Sequence, residues 1–462
     1  MTDTIWAPKL AETRRPKYLA LTDAIRAAVE DGSLAAESRL PTVRALAHRL
    51  GITPGTVSRA YGLLTDEGVL RAEVGRGTFV APANRRIAEP PYILTESSAG
   101  QVNLSTSLVP DVGQAAAIRA CQEELLEGGS DLLTYPTRGD DLATIQAFLR
   151  WLGDIDVGPA WAEDVVLCGG AQHGVTMALQ TLSRGARSVV FTEELAYPGF
   201  RNAAGLVGAD VVGVPMDGDG LMPDALEVLC RRHGPAILCT SAEGHNPTTI
   251  RTPPERRARI VEIARAHDMH IVDDDSFSVG RQSFPGYRAL APERGWHVAS
   301  MSKSVSPALR FGGLIAPKGY GPRATSTAQQ QFFGLPRPAV DLCRRLMESG
   351  RADAIRDGVR RVTAERVRIA RDALDGHDVL SRDTVPFVWV KMPRGWRAST
   401  FARAAERRGI LVKPADLFAL VDGRAPNAVR LSLNGPMGEP TFRTALETLA
   451  GLLKEPPGEV EV

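Results

Sequence analysis

The chain has 462 residues, of which 44% are hydrophobic and 24% are charged, a balance typical of folded rather than disordered proteins. This length exceeds what one hydrophobic core usually organises, so we expect a small domain and a large one. Because the sequence contains no run of about 18 uninterrupted apolar residues and no basic-then-apolar leader pattern, it predicts a cytoplasmic protein without a membrane segment.

The net charge of +1 is unevenly distributed. Residues 1–88 hold 13 Lys and Arg against 9 Asp and Glu, whereas the remainder holds 42 against 45. A modestly basic N-terminal part is compatible with DNA binding. The five cysteines are odd in number and scattered, which favours reduced core thiols over disulfides and over a metal site.

The first 80 residues show three short helical patterns. The first spans 18–29, where apolar residues fall on one face. The second follows Thr42 as its N-cap and ends at Gly51, and the third follows Thr53, with Pro54 in its first position. The turn of about three residues between the last two helices is typical of a helix-turn-helix, whose later helix enters the major groove.

Two β-prone runs, 69–74 and 78–80, surround Gly75-Arg76-Gly77. They predict a hairpin with an arginine at its tip, placed to reach the minor groove or a phosphate. Residues 1–80 are therefore predicted to form a winged helix-turn-helix that binds a double-stranded DNA operator. The candidate DNA-binding residues are Arg44, Thr53, Thr56, Ser58, Arg59, Arg76 and Thr78.

Residues 81–101 are a predicted linker, since they hold three prolines and no periodic pattern. From 102 to 462 short apolar strands alternate with helices, which indicates a sheet buried on both faces. After Pro336 the chain becomes helical and Arg-rich and then mixed, as expected of a smaller lobe. The predicted strands are 165–168, 188–191, 210–214, 236–240, 269–273, 296–300 and 312–316.

Polar motifs follow five of these strands, at the strand ends where open α/β sheets bind ligands. Lys303 comes just after a strand and among small hydroxyl residues. Such a lysine can attack an aldehyde while its neighbours and Arg310 hold a phosphate dianion, although a lone lysine is most simply a surface residue. Of the carboxylates in 273–275, one placed against a pyridinium nitrogen would keep it protonated; a metal site or a solvated loop is the alternative.

The other three motifs are weaker taken singly. Gly169-Gly170-Ala171 opens a helix whose backbone N–H groups suit a phosphate, or it is only a tight connection. Tyr197 can stack on a planar ring, or it belongs to the core. Asn246 can reach a phenolic oxygen, or Asn246-Pro247 is only a turn. Together the five supply the groups that a pyridoxal 5'-phosphate (PLP) site needs.

These motifs resemble known families. Residues 39–81 (RLPTVRALAHRLGITPGTVSRAYGLLTDEGVLRAEVGRGTFVA) resemble the GntR-type winged helix. Residues from about 100 to 455 resemble fold-type I aminotransferases through YPTRGDDLA, GGAQHGV, AYPGF, HNPT, DDD and SKSVSPALRFG. The fusion resembles the MocR subfamily of regulators. The implied fold class is α/β: a winged helix-turn-helix, then a PLP-dependent aminotransferase-like domain over 102–462, with a three-layer large lobe and a smaller C-terminal lobe.

The resemblance implies a role for each site residue. Lys303 would carry PLP as an internal aldimine, Asp274 would pair with the pyridine nitrogen, Asn246 would bond the ring oxygen, and Tyr197 would stack on the ring. Arg430 matches an arginine that binds an effector carboxylate, with a structural role as the alternative. The phosphate would be held by Arg310, Ser300, Ser302, the backbone of Gly170 and Ala171, and Tyr135 reaching across a head-to-tail homodimer.

Three functions remain open. In the first, an amine or amino acid effector forms an external aldimine in place of Lys303 and changes DNA binding. In the second, the body is a working aminotransferase with an appended DNA-binding domain. In the third, it is only a dimerisation scaffold, and the protein is colourless. Two departures bear on the choice: Phe277 replaces a tyrosine that bonds the ring oxygen in the family, and Thr249 replaces a glycine.

Overall fold

The computed structural model describes residues 6, 8, 16–30, 33–35, 38–66, 69–73, 77–80, 100–128, 133–183, 188–277, 282, 284–420 and 425–455. The chain divides into two compact units, residues 1–93 (the head) and 94–462 (the body). The division falls within the predicted linker. Most of that linker and Arg76 of the predicted hairpin tip lie outside the described residues.

The described part of the head contains three helices and an antiparallel hairpin, as predicted. The Thr42 side chain caps the second helix by accepting from the Ala45 N–H, and Gly51 ends that helix in a left-handed conformation (φ 60°). Apolar side chains of all the helices, including Ile25 and Val57, bury one core. The elements are α1 (Lys17–Glu30), α2 (Val43–Leu50), α3 (Pro54–Asp66), β1 (Leu70–Glu73) and β2 (Gly77–Val80).

The segment before α2 extends the hairpin in a way that the sequence pattern did not predict. The Val80 N–H donates to the Ser38 carbonyl, and Leu40 N–H donates to that of Thr78, both at 2.8 Å. The side chain of Arg39 lies over Gly77, where a Cβ atom would stand only 2.9 Å from Arg39 Nε. This arginine therefore belongs to the hairpin surface beside the predicted tip.

The described strands of the body include all seven that the sequence predicted, with bounds that differ by at most two residues. The strands are β3 (Val102–Asn103), β4 (Val165–Cys168), β5 (Val189–Glu193), β6 (Asp210–Val214), β7 (Met216–Asp217), β8 (Gly220–Leu221), β9 (Ile237–Thr240), β10 (His270–Asp274), β11 (Gly295–Ser300), β12 (Gly312–Ile315), β13 (Val379–Leu380), β14 (Phe387–Lys391), β15 (Ile410–Leu411), β16 (Lys413–Pro414) and β17 (Ala428–Ser432).

Helices cover these strands. Those of the body are α4 (Gln114–Gly128), α5 (Arg138–Trp151), α6 (Ala171–Leu182), α7 (Pro198–Leu206), α8 (Pro223–His233), α9 (Pro254–Ala266), α10 (Tyr287–Leu290), α11 (Gly321–Phe332), α12 (Arg337–Glu348), α13 (Arg351–Ala373), α14 (Ala398–Arg407) and α15 (Glu439–Lys454). Among the described residues, no helix has both the length and the apolar character needed to cross a bilayer.

Seven of the described strands form one sheet in the order β4-β12-β11-β10-β9-β5-β6. Strand β12 is antiparallel to both neighbours, and the other pairs are parallel. The strands β4, β9, β10, β11 and β12 are buried along their whole length, as their apolar runs predicted. Because β4, β5, β9, β10 and β11 run in one direction, their C-terminal ends share one edge of the sheet.

The predicted smaller lobe is built on a second sheet, of four antiparallel strands among those described, in the order β13-β14-β17-β16. Side chains of α13, α14, α15 and this sheet share a core. The chain enters the body through this lobe, since β3 pairs in parallel with β15. The residues that follow β3 then run toward the C-terminal edge of the large sheet.

Candidate functional site

Lys303 lies just beyond β11, at the edge where the predicted motifs meet. Its ammonium donates to the backbone carbonyl of Ser107, and Nζ lies 5.6 Å from the centre of the Phe277 ring. Burial and the charges of nearby arginines lower the pKa of Lys303 to about 8, whereas Asp274 acts against this shift. A lysine with a lowered pKa offers a larger neutral, nucleophilic fraction near neutral pH.

Asp274 is the carboxylate of the triplet whose charge acts on Lys303. It is buried, and its Oδ1 accepts from the Ser276 N–H at 3.0 Å and from Ser276 Oγ at 2.5 Å. Burial raises the pKa of Asp274, and these two hydrogen bonds oppose the rise. Burial also raises the pKa of Asp273 to about 6 and that of Asp275 well above its usual range.

Asn246 and Arg430 form a buried pair. Arg430 Nη1 donates to Asn246 Oδ1 at 2.8 Å, so the Nδ2 end of the amide is turned away from the guanidinium. That Nδ2 is buried without a hydrogen-bond partner among the described residues, and such a donor is costly unless a ligand uses it. The altered turn keeps a glycine-like backbone, because Thr249 itself has a φ of 68°.

A cradle for an anion lies at the start of α6. Arg310 donates from Nη2 to the Gly169 carbonyl at 2.7 Å. A Cβ atom at position 170 would stand 2.9 Å from that Nη2, so the space beside the guanidinium requires Gly170, whose φ is 93°. The helix begins at Ala171, and its first N–H groups have no partner within the helix. A cation and a helix N-terminus together suit a phosphate.

The two serines and Tyr197 lie at the same sheet edge. Ser300 Oγ donates to Ser302 Oγ at 2.9 Å. The Tyr197 ring folds over Gly199, where a Cβ atom would stand 2.1 Å from the Tyr197 Cε1. Gln172, in the first turn of α6, donates to the Gly199 carbonyl at 2.9 Å. The aromatic ring therefore lies beside the helix end that forms the cradle.

Tyr135 is not buried in the site. It is 79% exposed, and its ring lies 5.6 Å from that of Phe333, which is itself 70% exposed. Exposed aromatic pairs are suited to contact another molecule. The role of Tyr135 in a second subunit stays a prediction.

The sequence did not reveal that the segment 103–108 crosses the site. Its carbonyls bind both cations: Ser105 O accepts from Arg430 Nη2 at 2.6 Å, and Ser107 O accepts from Lys303. Asn103 Oδ1 fixes the turn by accepting from the backbone N–H groups of residues 105 and 106 at 2.9 and 3.1 Å. The asparagine signals a local turn, but backbone acceptors leave no signature in a sequence.

A second cation lies beside Arg430, and the sequence did not reveal it either. Lys413 on β16 pairs directly opposite Arg430 on β17. Both charged groups lie over the ring of Phe418, with Lys413 Nζ 5.7 Å and Arg430 Cζ 5.0 Å from its centre.

Among the described residues, no group of three or more His, Cys, Asp or Glu is arranged to hold a metal ion.

In the head, Thr53 caps α3 by accepting from the Thr56 N–H at 3.3 Å. The Arg59 guanidinium is exposed, as predicted, but it lies over the Tyr18 ring, 4.2 Å from its centre. The sequence did not predict this contact. The remaining described candidates are exposed (Arg44, Thr53, Ser58) or half-buried (Thr56, Thr78).

Comparisons with known proteins give a family match for the head and another for the body. Residues 17–80 match the model of bacterial regulatory proteins of the gntR family, and residues 99–449 match that of aminotransferase class I and II. The HTH-type transcriptional regulator YdeF of Bacillus subtilis is 24% identical over 456 residues, which cover 97% of each chain. The 2-aminoadipate transaminase of Thermus thermophilus is 30% identical over 332 residues, covering 68% of this chain and 80% of that one.

Among solved structures, an archaeal alanine:glyoxylate aminotransferase superposes with a TM-score of 0.69 at 22% identity, covering 77% of this chain and 91% of the other. This likeness shows the fold of the body. The two family matches and the regulator relative show that the chain is a DNA-binding transcription regulator with a GntR-type head and a body that belongs to aminotransferase class I and II, which is consistent with the MocR subfamily.

Proposed function

We propose that the body binds PLP at Lys303 and senses an amine or amino acid that competes with this lysine. The observation that carries the proposal is the position of segment 103–108. It comes directly after the linker in the chain, and its carbonyls bind Lys303 and Arg430. These are the two cations expected to meet the cofactor and the effector.

The residues of the site suit PLP. Asn246 Nδ2 is a buried donor whose expected acceptor is the ring oxygen. The space at Gly170 beside Arg310 suits the phosphate, and the buried Asp274 is placed at a strand end with its Oδ1 held by Ser276. Phe277 is the exception, because it has no hydroxyl group to donate. The site thus has one hydrogen-bond donor fewer than its resemblance to the fold-type I aminotransferases implies.

When bound, PLP supplies an aldehyde that primary amines capture reversibly and a ring that withdraws electrons. In our proposal Asp274 holds a proton on the ring nitrogen, and Tyr197 covers one face of the ring. The N–H groups at Gly170 and Ala171 and the side chains of Arg310, Ser300 and Ser302 bind the phosphate, together with Tyr135 of a second protomer.

Effector binding would change both contacts of segment 103–108. Lys303 donates to the Ser107 carbonyl when its amine is free, so its engagement by the cofactor, or its release by an effector, would alter that hydrogen bond. An effector carboxylate would compete with Ser105 O for Arg430, because a guanidinium binds a carboxylate through paired N–H groups. Both changes act on the segment continuous with the linker, which gives the effector a route to bias the DNA-binding state.

A working aminotransferase is the second candidate. The lowered pKa of Lys303, about 8, favours it, because that amine can take up and release a proton near neutral pH. The similarity to a named transaminase points the same way. The site geometry is the same in both functions, so they differ only in the fate of the amine after it binds.

One experiment separates the two functions. PLP-loaded protein is incubated with a panel of amines and amino acids while the visible absorbance and the binding to operator DNA are measured. A stable spectral change with altered DNA binding supports the sensor, and repeated turnover to pyridoxamine phosphate and a keto acid supports the enzyme. Protein that stays colourless with PLP, or an effector response unchanged in Lys303→Ala, overturns the sensor.

We also infer a cytoplasmic, head-to-tail homodimer that reads paired half-sites. The exposed Tyr135 and Phe333 support a contact between bodies. Co-expression of Lys303→Ala with Tyr135→Phe chains tests the arrangement, since a mixed dimer regains one site without either change if Tyr135 serves its partner. Effector binding no better in the mixture than in either variant alone contradicts it.

A further inference from the structure

We infer that Lys413 is a specificity residue, which together with Arg430 selects an effector carrying two anionic groups; this inference rests on the proposed sensing function. Arg430 would take one carboxylate and Lys413 the other. The chemical class is therefore an amine with two acidic groups, such as a dicarboxylic amino acid.

The sheet of the smaller lobe brings the two cations together. Strands β16 and β17 are antiparallel neighbours in which Lys413 and Arg430 are directly opposite. Side chains at opposite positions of neighbouring strands project from the same face of a sheet. Arg430 projects into the site, where it binds Asn246 and the Ser105 carbonyl, so Lys413 projects toward the same region.

The ring of Phe418 fixes both cations close to each other. Arg430 Cζ and Lys413 Nζ lie 5.0 and 5.7 Å from its centre, and this ring is buried, with 2% exposure. Trp389 lies on β14, the other neighbour of β17, where it is directly opposite Arg430. Its ring packs edge-on against that of Phe418, with 6.4 Å between the ring centres. Both charged groups therefore lie against the same buried aromatic ring.

Electrostatics favours an anion at this place. Burial and the positive charge of Arg430 lower the pKa of Lys413 to about 7. Charges in a poorly solvated site interact more strongly than in water, so an anion near both cations relieves their repulsion. One carboxylate on Arg430 offsets part of it. A second carboxylate within reach of Lys413 would act in the same direction and favour the protonated form of that amine.

The first test uses the cofactor-free protein, so it does not depend on PLP chemistry. Thermal unfolding is followed with glutarate and with butyrate, which differ in one carboxylate. A ligand that binds the folded state raises the unfolding temperature. We expect glutarate to raise it more than butyrate, and we expect Lys413→Met to remove this difference and Lys413→Arg to preserve it. A difference that persists in Lys413→Met overturns the inference.

The second test uses PLP-loaded protein and the visible absorbance. Titration with L-2-aminoadipate and with L-norvaline gives two dissociation constants. The constant for norvaline divided by the constant for aminoadipate measures the preference for a second acidic group. We expect Lys413→Met to reduce this ratio at least tenfold and Lys413→Arg to restore it. The matched control is Lys391→Met at an exposed lysine that pairs with Asp378, which should leave the ratio at the wild-type value.

The outcomes separate this inference from the function on which it rests. If no amine changes the spectrum of the wild-type protein, the sensing function fails. If both amino acids change it with equal dissociation constants, sensing stands and the role of Lys413 fails. An unchanged ratio in Lys413→Met also overturns the role of Lys413 in effector selection.

Discussion

Arg430 donates from Nη2 to the carbonyl of Ser105 at 2.6 Å, so the arginine proposed to bind the effector is already bound to the segment that leads from the linker. The same segment is also bound to β15, because the Leu104 N–H donates to the Leu411 carbonyl at 2.8 Å. In the proposed function, an incoming carboxylate competes with this carbonyl for Arg430. This competition links ligand binding to the start of the body.

Asn103→Ala is expected to loosen this segment without an effector. The Asn103 Oδ1 accepts from the backbone N–H groups of Ser105 and Thr106 and from Ser105 Oγ, so its removal leaves the turn without its side-chain acceptor. Hydrogen exchange measured by mass spectrometry should show faster exchange over residues 102–108 in the variant. The wild-type protein should reach a similar rate only when a responsive amino acid is added.

A matched control is Asn427→Ala in the smaller lobe. This change also removes a side-chain acceptor, since Asn427 Oδ1 accepts from the Ala398 N–H. It should leave exchange over 102–108 unchanged. If an effector changes the PLP spectrum of the wild-type protein but leaves exchange over 102–108 unaltered, this segment does not carry the signal.

Phe277→Tyr is expected to restore a donor to the cofactor site. The Phe277 ring lies 5.6 Å from Lys303 Nζ and packs edge-on against Phe387 at 5.3 Å. A phenol at this position stabilises negative charge on the ring oxygen of PLP and so favours the deprotonated form of the bound cofactor. The pH midpoint of the visible absorption band should fall by about one unit. Phe277→Leu, which adds no donor, should leave the midpoint unchanged within error.

The sequence predicted the features that arise from local chemistry. Thr42 and Gly51 bound α2 because a hydroxyl side chain caps N–H groups and glycine tolerates a left-handed backbone. The buried strands were found because a sheet covered on both faces needs apolar residues throughout. The polar motifs were placed at one edge because parallel strands align their C-terminal ends, and Lys303 and Asp274 lie there.

The missed features depend on which distant segments meet. Lys413 faces Arg430 only through the register of β16 and β17, and no local pattern specifies that register. The contacts of Ser105 and Ser107 use backbone carbonyls, which every residue has. Arg59 likewise meets Tyr18 only because α1 packs on α3.

Asp275→Asn is expected to stabilise the protein at pH 8 and to have little effect at pH 4. Burial, with Asp273 and Glu243 nearby, raises the pKa of Asp275 well above its usual range, whereas in the unfolded chain its pKa is about 3.9. A raised folded pKa gives stability that is full below about pH 4 and lost as the pH rises through the folded value. Asparagine has no charge to bury, so the variant does not lose this stability as the pH rises.

Thermal unfolding of the cofactor-free protein at both pH values measures this. The midpoint of Asp275→Asn should exceed that of the wild type by at least about 2 °C at pH 8, with no increase at pH 4. The control is Asp372→Asn on the surface of α13, where the carboxylate pairs with the exposed Arg368. An equal gain at both pH values would show that burial of the Asp275 charge is not the cause.

Arg59→Ala is expected to weaken binding to an operator selected from random duplexes by about 1 to 3 kcal/mol, the usual size of a base contact. Because the Arg59 guanidinium lies over the Tyr18 ring at 4.2 Å, Tyr18→Ala should also weaken binding, by less, since the arginine then loses its support before it meets DNA. Tyr18→Phe keeps the ring and should bind as the wild type does.

Fluorescence anisotropy at several salt concentrations measures these affinities and shows which kind of contact is lost. A base contact lowers affinity for the selected operator more than for unrelated DNA, whereas a phosphate contact weakens both and reduces the salt dependence. If Arg59→Ala weakens both DNAs equally, Arg59 binds the backbone. If Tyr18→Phe binds as poorly as Tyr18→Ala, it is the Tyr18 hydroxyl, and not the ring beneath the guanidinium, that matters for DNA binding.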